Sequence, residues 1–98
     1  MGLKEVRSLL IDALRSERYQ HEYRADMESR NLLFDEVVEP EFVIRLLQRC
    51  RGDQYACSPH HFLQRVMCHV FTPELNGERW YIKAYLLSAD AVFISVHR

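Results

Sequence analysis

Five side chains in the second half of the chain have the types that acid–base chemistry requires. Tyr81 and Lys83 are two residues apart, His97 lies further along, and the dipeptide His60-His61 adds two more imidazoles. An imidazole exchanges its proton near neutral pH, a phenol donates a hydrogen bond, and an ammonium balances negative charge. These residue types could supply the acid, the base and the cation of a site for general acid–base catalysis.

The basic residues point to an anionic polymer as the partner of such a site. Of the 13 basic residues, 11 are arginine, although the net charge of the whole chain is only −1. Arginine offers a planar fork to phosphate and stacks on bases. The predicted RNA-binding residues are Arg45, Arg49, Arg51, Arg65, Arg79 and Tyr55. A GC-rich genome also produces many arginines, and the sequence leaves that alternative open.

The cysteines allow two other kinds of site, which the sequence supports less well. Cys57, His60, Cys68 and His69 have the ligand types that zinc prefers. Neighbouring residues of one strand point to opposite faces, so Cys68 and His69 cannot easily hold the same ion. Cys68 with His97 would form a nucleophile and base without an orienting third group. The odd number of cysteines, three, argues against a disulfide framework.

The first half of the chain has the apolar spacing of helices. Residues 3–17 predict an amphipathic helix, and 18–20 a short extended piece. A second, polar helix is predicted from about His21 to Leu32. Pro40 suits the first turn of a third helix, and Gly52 suits the position just after its end.

After Gly52 the apolar residues alternate, which is typical of strands. The predicted strands are 55–58, 65–72, 79–87 and 91–97. Asn76-Gly77 is a strong signal for a hairpin turn between the second and third strands. The sequence therefore predicts one α+β domain over residues 1–98, with N-terminal helices packed on one face of a three- to four-stranded antiparallel β-meander.

The register of the last two strands follows from the requirement for one apolar face. On one face, the predicted pairs are Tyr81 with His97, Lys83 with Ser95, and Tyr85 with Phe93. On the other, they are Ile82 with Val96, Ala84 with Ile94, and Leu86 with Val92. The preceding strand would add Cys68, Val70 and Thr72 to the Tyr81 side, and Met67, His69 and Phe71 to the helix side. An ordinary solvated sheet face remains an alternative for the first set.

Four segments of the chain together form a familiar pattern: Gly52–Tyr55, His69–Pro73, Gly77–Tyr85 and Phe93–His97. In these segments the chain resembles the MqsR family of bacterial mRNA interferase toxins, which are related to RelE. The resemblance covers roughly residues 50–98 and implies a RelE/MqsR-like fold. It also implies a toxin that cleaves mRNA without metal or other cofactor and is neutralised by an antitoxin protein. Lys4, Glu5 and Arg7 lie in an amphipathic pattern that is atypical of a secretory signal, so a cytoplasmic location is expected.

The family's functional residues carry over incompletely. Its catalytic tyrosine matches Tyr81, and its lysine near the C-terminus falls on or beside His97. Its other lysine falls on Ala56 and its glutamine on Cys68. A catalytically inactive relative that binds RNA or a protein is therefore the second hypothesis, and an interaction domain that forms a homodimer is the third. No apolar run is long enough to cross a membrane, so no membrane partner is expected.

Overall fold

Two helices cover one face of a mixed five-stranded sheet in a computed structural model that describes residues 2–23 and 30–98. The helices are α1 (Leu3–Arg15) and α2 (Pro40–Arg49), with a single 3-10 turn at Gly52–Gln54. The strands are β1 (Tyr19–His21), β2 (Tyr55–Pro59), β3 (Met67–Phe71), β4 (Glu74–Leu75), β5 (Glu78–Arg79), β6 (Tyr81–Leu87) and β7 (Asp90–His97). The α+β class and the placement of the helices on one face are confirmed.

Both helices form where the apolar spacing predicts them. α1 buries Val6, Leu10 and Ala13, and α2 begins with Pro40, whose missing N–H costs nothing in a first turn. The guanidinium of Arg7 donates a hydrogen bond of 2.9 Å to the carbonyl of Cys50, just past the end of α2. This bond satisfies a carbonyl beyond the helix terminus and ties the two helices together.

Half of the predicted second helix from His21 to Leu32, residues 24–29, lies outside the described residues. The described residues at its two ends are not helical. His21 belongs to β1, Asn31 forms an isolated bridge with Val96, and Leu32 lies in a turn.

The sheet differs from the predicted meander in the number and direction of its strands. Its order is β1-β7-β6-β3-β2, and β1 runs parallel to β7, with Tyr19 opposite Ala91. The other three pairings are antiparallel. The expectation of a purely antiparallel sheet of three to four strands is therefore wrong. Two parallel strands need a long crossover connection, so no turn motif in the sequence predicts their pairing.

A β-bulge in β7 corrects the predicted register. Tyr81 pairs with His97 and Lys83 with Ser95 as expected, but Ala84 then pairs with Phe93. The predicted pairs of Tyr85 with Phe93, Ala84 with Ile94, and Leu86 with Val92 are wrong. The extra residue at the bulge shifts Phe93 onto the helix side, where it is fully buried.

The assignment of the β3 residues to the two faces is confirmed. Phe71 lies opposite Ile82 on the helix side, and Val70 lies opposite Lys83 on the other side. The main core joins both helices to the helix side of the sheet. A smaller buried cluster, on the opposite face of the sheet, consists of Cys68, Tyr85, Val92 and Ile94.

The turn at Asn76-Gly77 forms, but it joins two strands that the sequence did not predict. It connects β4 to β5, which make a separate two-stranded sheet. Both turn residues have a positive φ, 53° at Asn76 and 80° at Gly77, as the tight hairpin turn demands.

Replacing Gly77 with alanine is expected to lower the free energy of unfolding by about 1 kcal/mol, because alanine resists a positive φ. A Cβ at this position would meet no atom within 4 Å, so the cost is conformational and not steric. Urea denaturation measures the effect. Gly52→Ala is the matched control, since that position is equally open and has no positive φ. If Gly77→Ala and Gly52→Ala lowered the free energy of unfolding equally, the positive φ of Gly77 could not be the cause.

No helix among the described residues is long and apolar enough to cross a membrane.

Candidate functional site

Three of the predicted catalytic residues lie together on the sheet face that the helices leave uncovered. Tyr81 and His97 are cross-strand partners, and their rings stack with centroids 5.2 Å apart and planes at 19°. Lys83 is two residues along β6 on the same face, opposite Ser95. All three catalytic candidates are half-buried. We call Tyr81, Lys83 and His97 the Tyr81 face.

One hydrogen bond fixes which nitrogen of His97 can act as a base. Nδ1 of His97 lies 2.9 Å from the main-chain oxygen of Arg98. That oxygen can only accept, so Nδ1 carries the hydrogen and donates it. In the neutral ring the lone pair is then on Nε2. The geometry provides a general base at a defined atom beside a phenol.

His60 lies on the same side of the sheet, but its contacts are structural. Its side chain is only 1% exposed, and its ring packs edge-on against Tyr85 with centroids 5.0 Å apart. The backbone N–H groups of Phe62 and Leu63 both donate to its Nδ1, at 3.0 and 2.9 Å. The hydrogen of the neutral ring is therefore on Nε2, which donates it to the carboxylate of Glu22 at 2.9 Å.

Glu22 receives a second hydrogen bond, 2.7 Å long, from the hydroxyl of Tyr85. This network joins the end of β1, the loop after β2 and the middle of β6. It holds His60 in one orientation and in one tautomer. His61, the other additional candidate for an acid–base pair with His97, is exposed on the loop and contacts the ring of Phe62.

The predicted RNA-binding residues do not line a single groove. Arg45 and Arg49 lie on the exposed side of α2, in the layer on the other side of the sheet from Tyr81. Arg51 forms an exposed ion pair with Asp53 at 3.3 Å, and Arg79 forms one with Glu74 at 3.0 Å.

Arg98 follows His97 in the chain, but its side chain lies on the helix side of the sheet. Its guanidinium lies 5.0 Å from the centroid of the Trp80 ring and 3.6 Å from the carboxylate of Glu78. Trp80 is buried in the main core and packs against Phe42 of α2. Arg98 therefore lies on the helix side of the sheet, whereas Tyr81 and His97 point to the other side.

A second cluster of reactive side chains lies at the sheet edge, on the helix side but beyond the helices. The hydroxyl oxygen of Tyr55 is 3.0 Å from the sulfur of Cys57 and 2.8 Å from Nδ1 of His69. The sulfur is 3.6 Å from the same nitrogen. The cluster forms because Cys57 and His69 are cross-strand partners and Tyr55 is two residues along β2.

Burial changes the acidity of two members of this cluster. It lowers the pKa of His69, because the imidazolium loses water. Burial and the hydrogen bond to Cys57 both raise the pKa of Tyr55. Both residues are therefore neutral near pH 7. Arg65, the last of the predicted RNA-binding arginines, lies on the loop beside this cluster, and with Cys57 and His69 it lines a cleft of about 320 Å³.

The zinc site considered from the sequence does not form among the described residues, where no three potential ligands converge. Cys68 belongs to the small cluster around Tyr85, and His69 lies on the opposite face beside Cys57. The alternation along β3 separates the two residues, as expected.

Comparison of the chain with family models, with curated proteins and with solved structures found no match to any of them.

Proposed function

We propose that this protein is a metal-independent endoribonuclease, an mRNA interferase toxin of the MqsR and RelE type. The observation that carries the proposal is the stacked pair of Tyr81 and His97, in which Nε2 of the imidazole is the basic atom. Cleavage of an RNA phosphodiester by its own 2′-hydroxyl needs a base, an acid and a cation. One sheet face carries the imidazole of His97, the phenol of Tyr81 and the ammonium of Lys83.

The proposed reaction uses each of these groups once. Nε2 of His97 takes the proton of a 2′-hydroxyl, and that oxygen attacks the adjacent phosphorus. The ammonium of Lys83 balances the charge of the five-coordinate phosphorus. The 5′-oxygen leaves with the proton of the Tyr81 hydroxyl. The products are a 2′,3′-cyclic phosphate and a free 5′-hydroxyl.

The partners and location follow the same proposal. The substrate is mRNA in the cytoplasm, and an antitoxin protein neutralises the enzyme. Since α2 lies on the other side of the sheet from Tyr81, Arg45 and Arg49 belong to a different surface, and Lys83 supplies the charge near the reacting phosphate.

A binding protein without activity is the second candidate, and two positions favour it. Where the MqsR family has a functional lysine and glutamine, this chain has Ala56, exposed on the edge strand, and Cys68, fully buried beside Tyr85. Neither side chain can replace the charge or hydrogen bonds of the family residue.

Incubation of the purified protein with a long RNA of defined sequence, with and without EDTA, separates the two candidates. We expect discrete cuts that survive EDTA and leave 2′,3′-cyclic phosphate ends. Intact RNA that shifts in a gel would support the inactive binder instead. Intact and unshifted RNA, together with undisturbed growth when the protein is expressed in bacteria, would contradict the endoribonuclease and would limit the second candidate to a binder of protein.

A further inference from the structure

A chain of hydrogen bonds links an exposed thiol to a buried base at the edge of the sheet. The thiol of Cys57 can donate to the oxygen of Tyr55, whose own hydrogen can be donated to Nδ1 of His69, across 3.0 and 2.8 Å. When the thiol reacts, its proton passes to Tyr55 as the tyrosine proton passes to the imidazole. The sulfur is left as a thiolate, which is the nucleophilic form.

The surroundings of Cys57 select a class of reactant. The cleft beside it is lined by Cys57, Arg65, Val66, Met67, His69 and Leu86. Arg65 is the only side chain in this lining with a permanent charge, and Val66, Met67 and Leu86 form an apolar wall that accepts a flexible carbon chain. Cys57 is exposed, whereas Cys50 and Cys68 are buried. The cleft therefore favours a small molecule with a carboxylate and a sulfur that a thiolate can attack.

We propose that Cys57 is a site of reversible S-thiolation by anionic low-molecular-weight disulfides, with Tyr55 and His69 as its proton relay. The thiolate of Cys57 attacks one sulfur of the disulfide, and a new S–S bond forms as the old one breaks. The leaving thiolate takes the proton from His69, so the exchange needs no further oxidant. None of the three residues belongs to the Tyr81 face, so this site does not depend on RNA cleavage.

Mass spectrometry after brief exposure of the native protein to oxidised glutathione tests the proposal. We expect a single adduct on Cys57, while Cys50 and Cys68 in the same molecule serve as unmodified internal controls. The second-order rate at pH 7 is expected to exceed that of an unstructured peptide containing residues 54–60 by about tenfold or more. A rate no faster than that of the peptide would overturn the proposal without bearing on RNA cleavage.

Two variants distinguish the relay from simple exposure. Tyr55→Phe breaks the relay and is expected to slow the reaction about tenfold at pH 7, with the difference vanishing in strongly alkaline solution, where hydroxide removes the thiol proton without a relay. Tyr23→Phe, at a tyrosine that is 86% exposed, is the matched control and should react as the parent does. A Tyr55→Phe protein that matches the parent at every pH would exclude the relay.

The charge preference is tested at Arg65. Its φ of 69° is tolerated best by glycine or asparagine, so Arg65→Asn removes the charge without straining the loop. We expect this variant to react several-fold more slowly with oxidised glutathione and at the parental rate with the cationic disulfide cystamine. Equal slowing with both reagents would contradict the assignment of Arg65 to ligand recognition.

Discussion

Replacing His97 with glutamine is expected to lower the rate of RNA cleavage by about 10²- to 10⁴-fold, because the proposed general base is lost. Glutamine has an amide that can still donate to the main-chain oxygen of Arg98, as Nδ1 of His97 does at 2.9 Å. The local structure is therefore retained while the basic nitrogen, Nε2 of His97, is lost. Initial cleavage rates on a short RNA containing one mapped site give the measurement.

The control for this result compares two tyrosines. Tyr81→Phe removes the proposed donor to the leaving oxygen and is expected to slow cleavage strongly, whereas Tyr23→Phe, 86% exposed at the end of the first described segment, leaves the rate unchanged. Parental rates in both His97→Gln and Tyr81→Phe would place the active site elsewhere on the molecule.

Replacing Phe93 with alanine is expected to lower the free energy of unfolding by about 3–5 kcal/mol, since the ring is fully buried in the main core. Phe93 lies in the second strand of the sheet order, and its ring contacts that of Tyr19 with centroids 6.1 Å apart. The loss of this ring leaves a cavity between the helices and the sheet. Equilibrium unfolding in urea, followed by circular dichroism, measures the change.

The same experiment tests the bulge in β7. In the register without a bulge, Phe93 would lie on the uncovered face beside Tyr85. Replacing it with alanine would then lower the free energy of unfolding far less. Phe62→Ala is the control, because that ring is 75% exposed, and its loss is expected to change stability by about 0.5 kcal/mol or less. Similar losses for Phe62→Ala and Phe93→Ala would argue against the buried position of Phe93.

The sequence predicts the register of β6 and β7 only as far as the alternation is informative. From Tyr81 to Lys83, polar and apolar residues alternate, and the pairs with His97 and Ser95 are confirmed. From Ala91 to Ile94 every residue is apolar, so either register gives an apolar face. The bulge falls at this boundary, where the pattern carries no information.

Long-range pairing explains the other differences. β1 has three residues, and its partner Ala91 is 72 positions from Tyr19, so neither periodicity nor a turn signal links them. The dipeptide Asn76-Gly77 predicts a tight turn correctly, but it cannot specify how far the hairpin extends. Pro73 lacks an N–H and lies just before β4, and the hairpin there is only two residues long on each side.

The candidate sites differ in how far they could be predicted. Tyr81, Lys83 and His97 are brought together by one hairpin register, which alternation defines. The contact of Cys57 with His69 depends on the pairing of β2 with β3, across a loop of seven residues that has no turn signature. The burial of His60 depends on Glu22, 38 residues earlier, and on Tyr85. Polar contacts between residues so far apart in the chain cannot be predicted from the spacing of neighbouring residues.

The interior position of β7 determines when a growing chain can complete its sheet. Residues 90–97 form this strand, yet it lies between β1 and β6. During synthesis, β1 leaves the ribosome on the order of 10 s before its partner exists, at about 5–20 residues per second. Until then the apolar surfaces of α1 and α2 lack most of the sheet that covers them. We expect the nascent protein to remain prone to aggregation and sensitive to proteases until β7 is made. It should depend on chaperones during that interval.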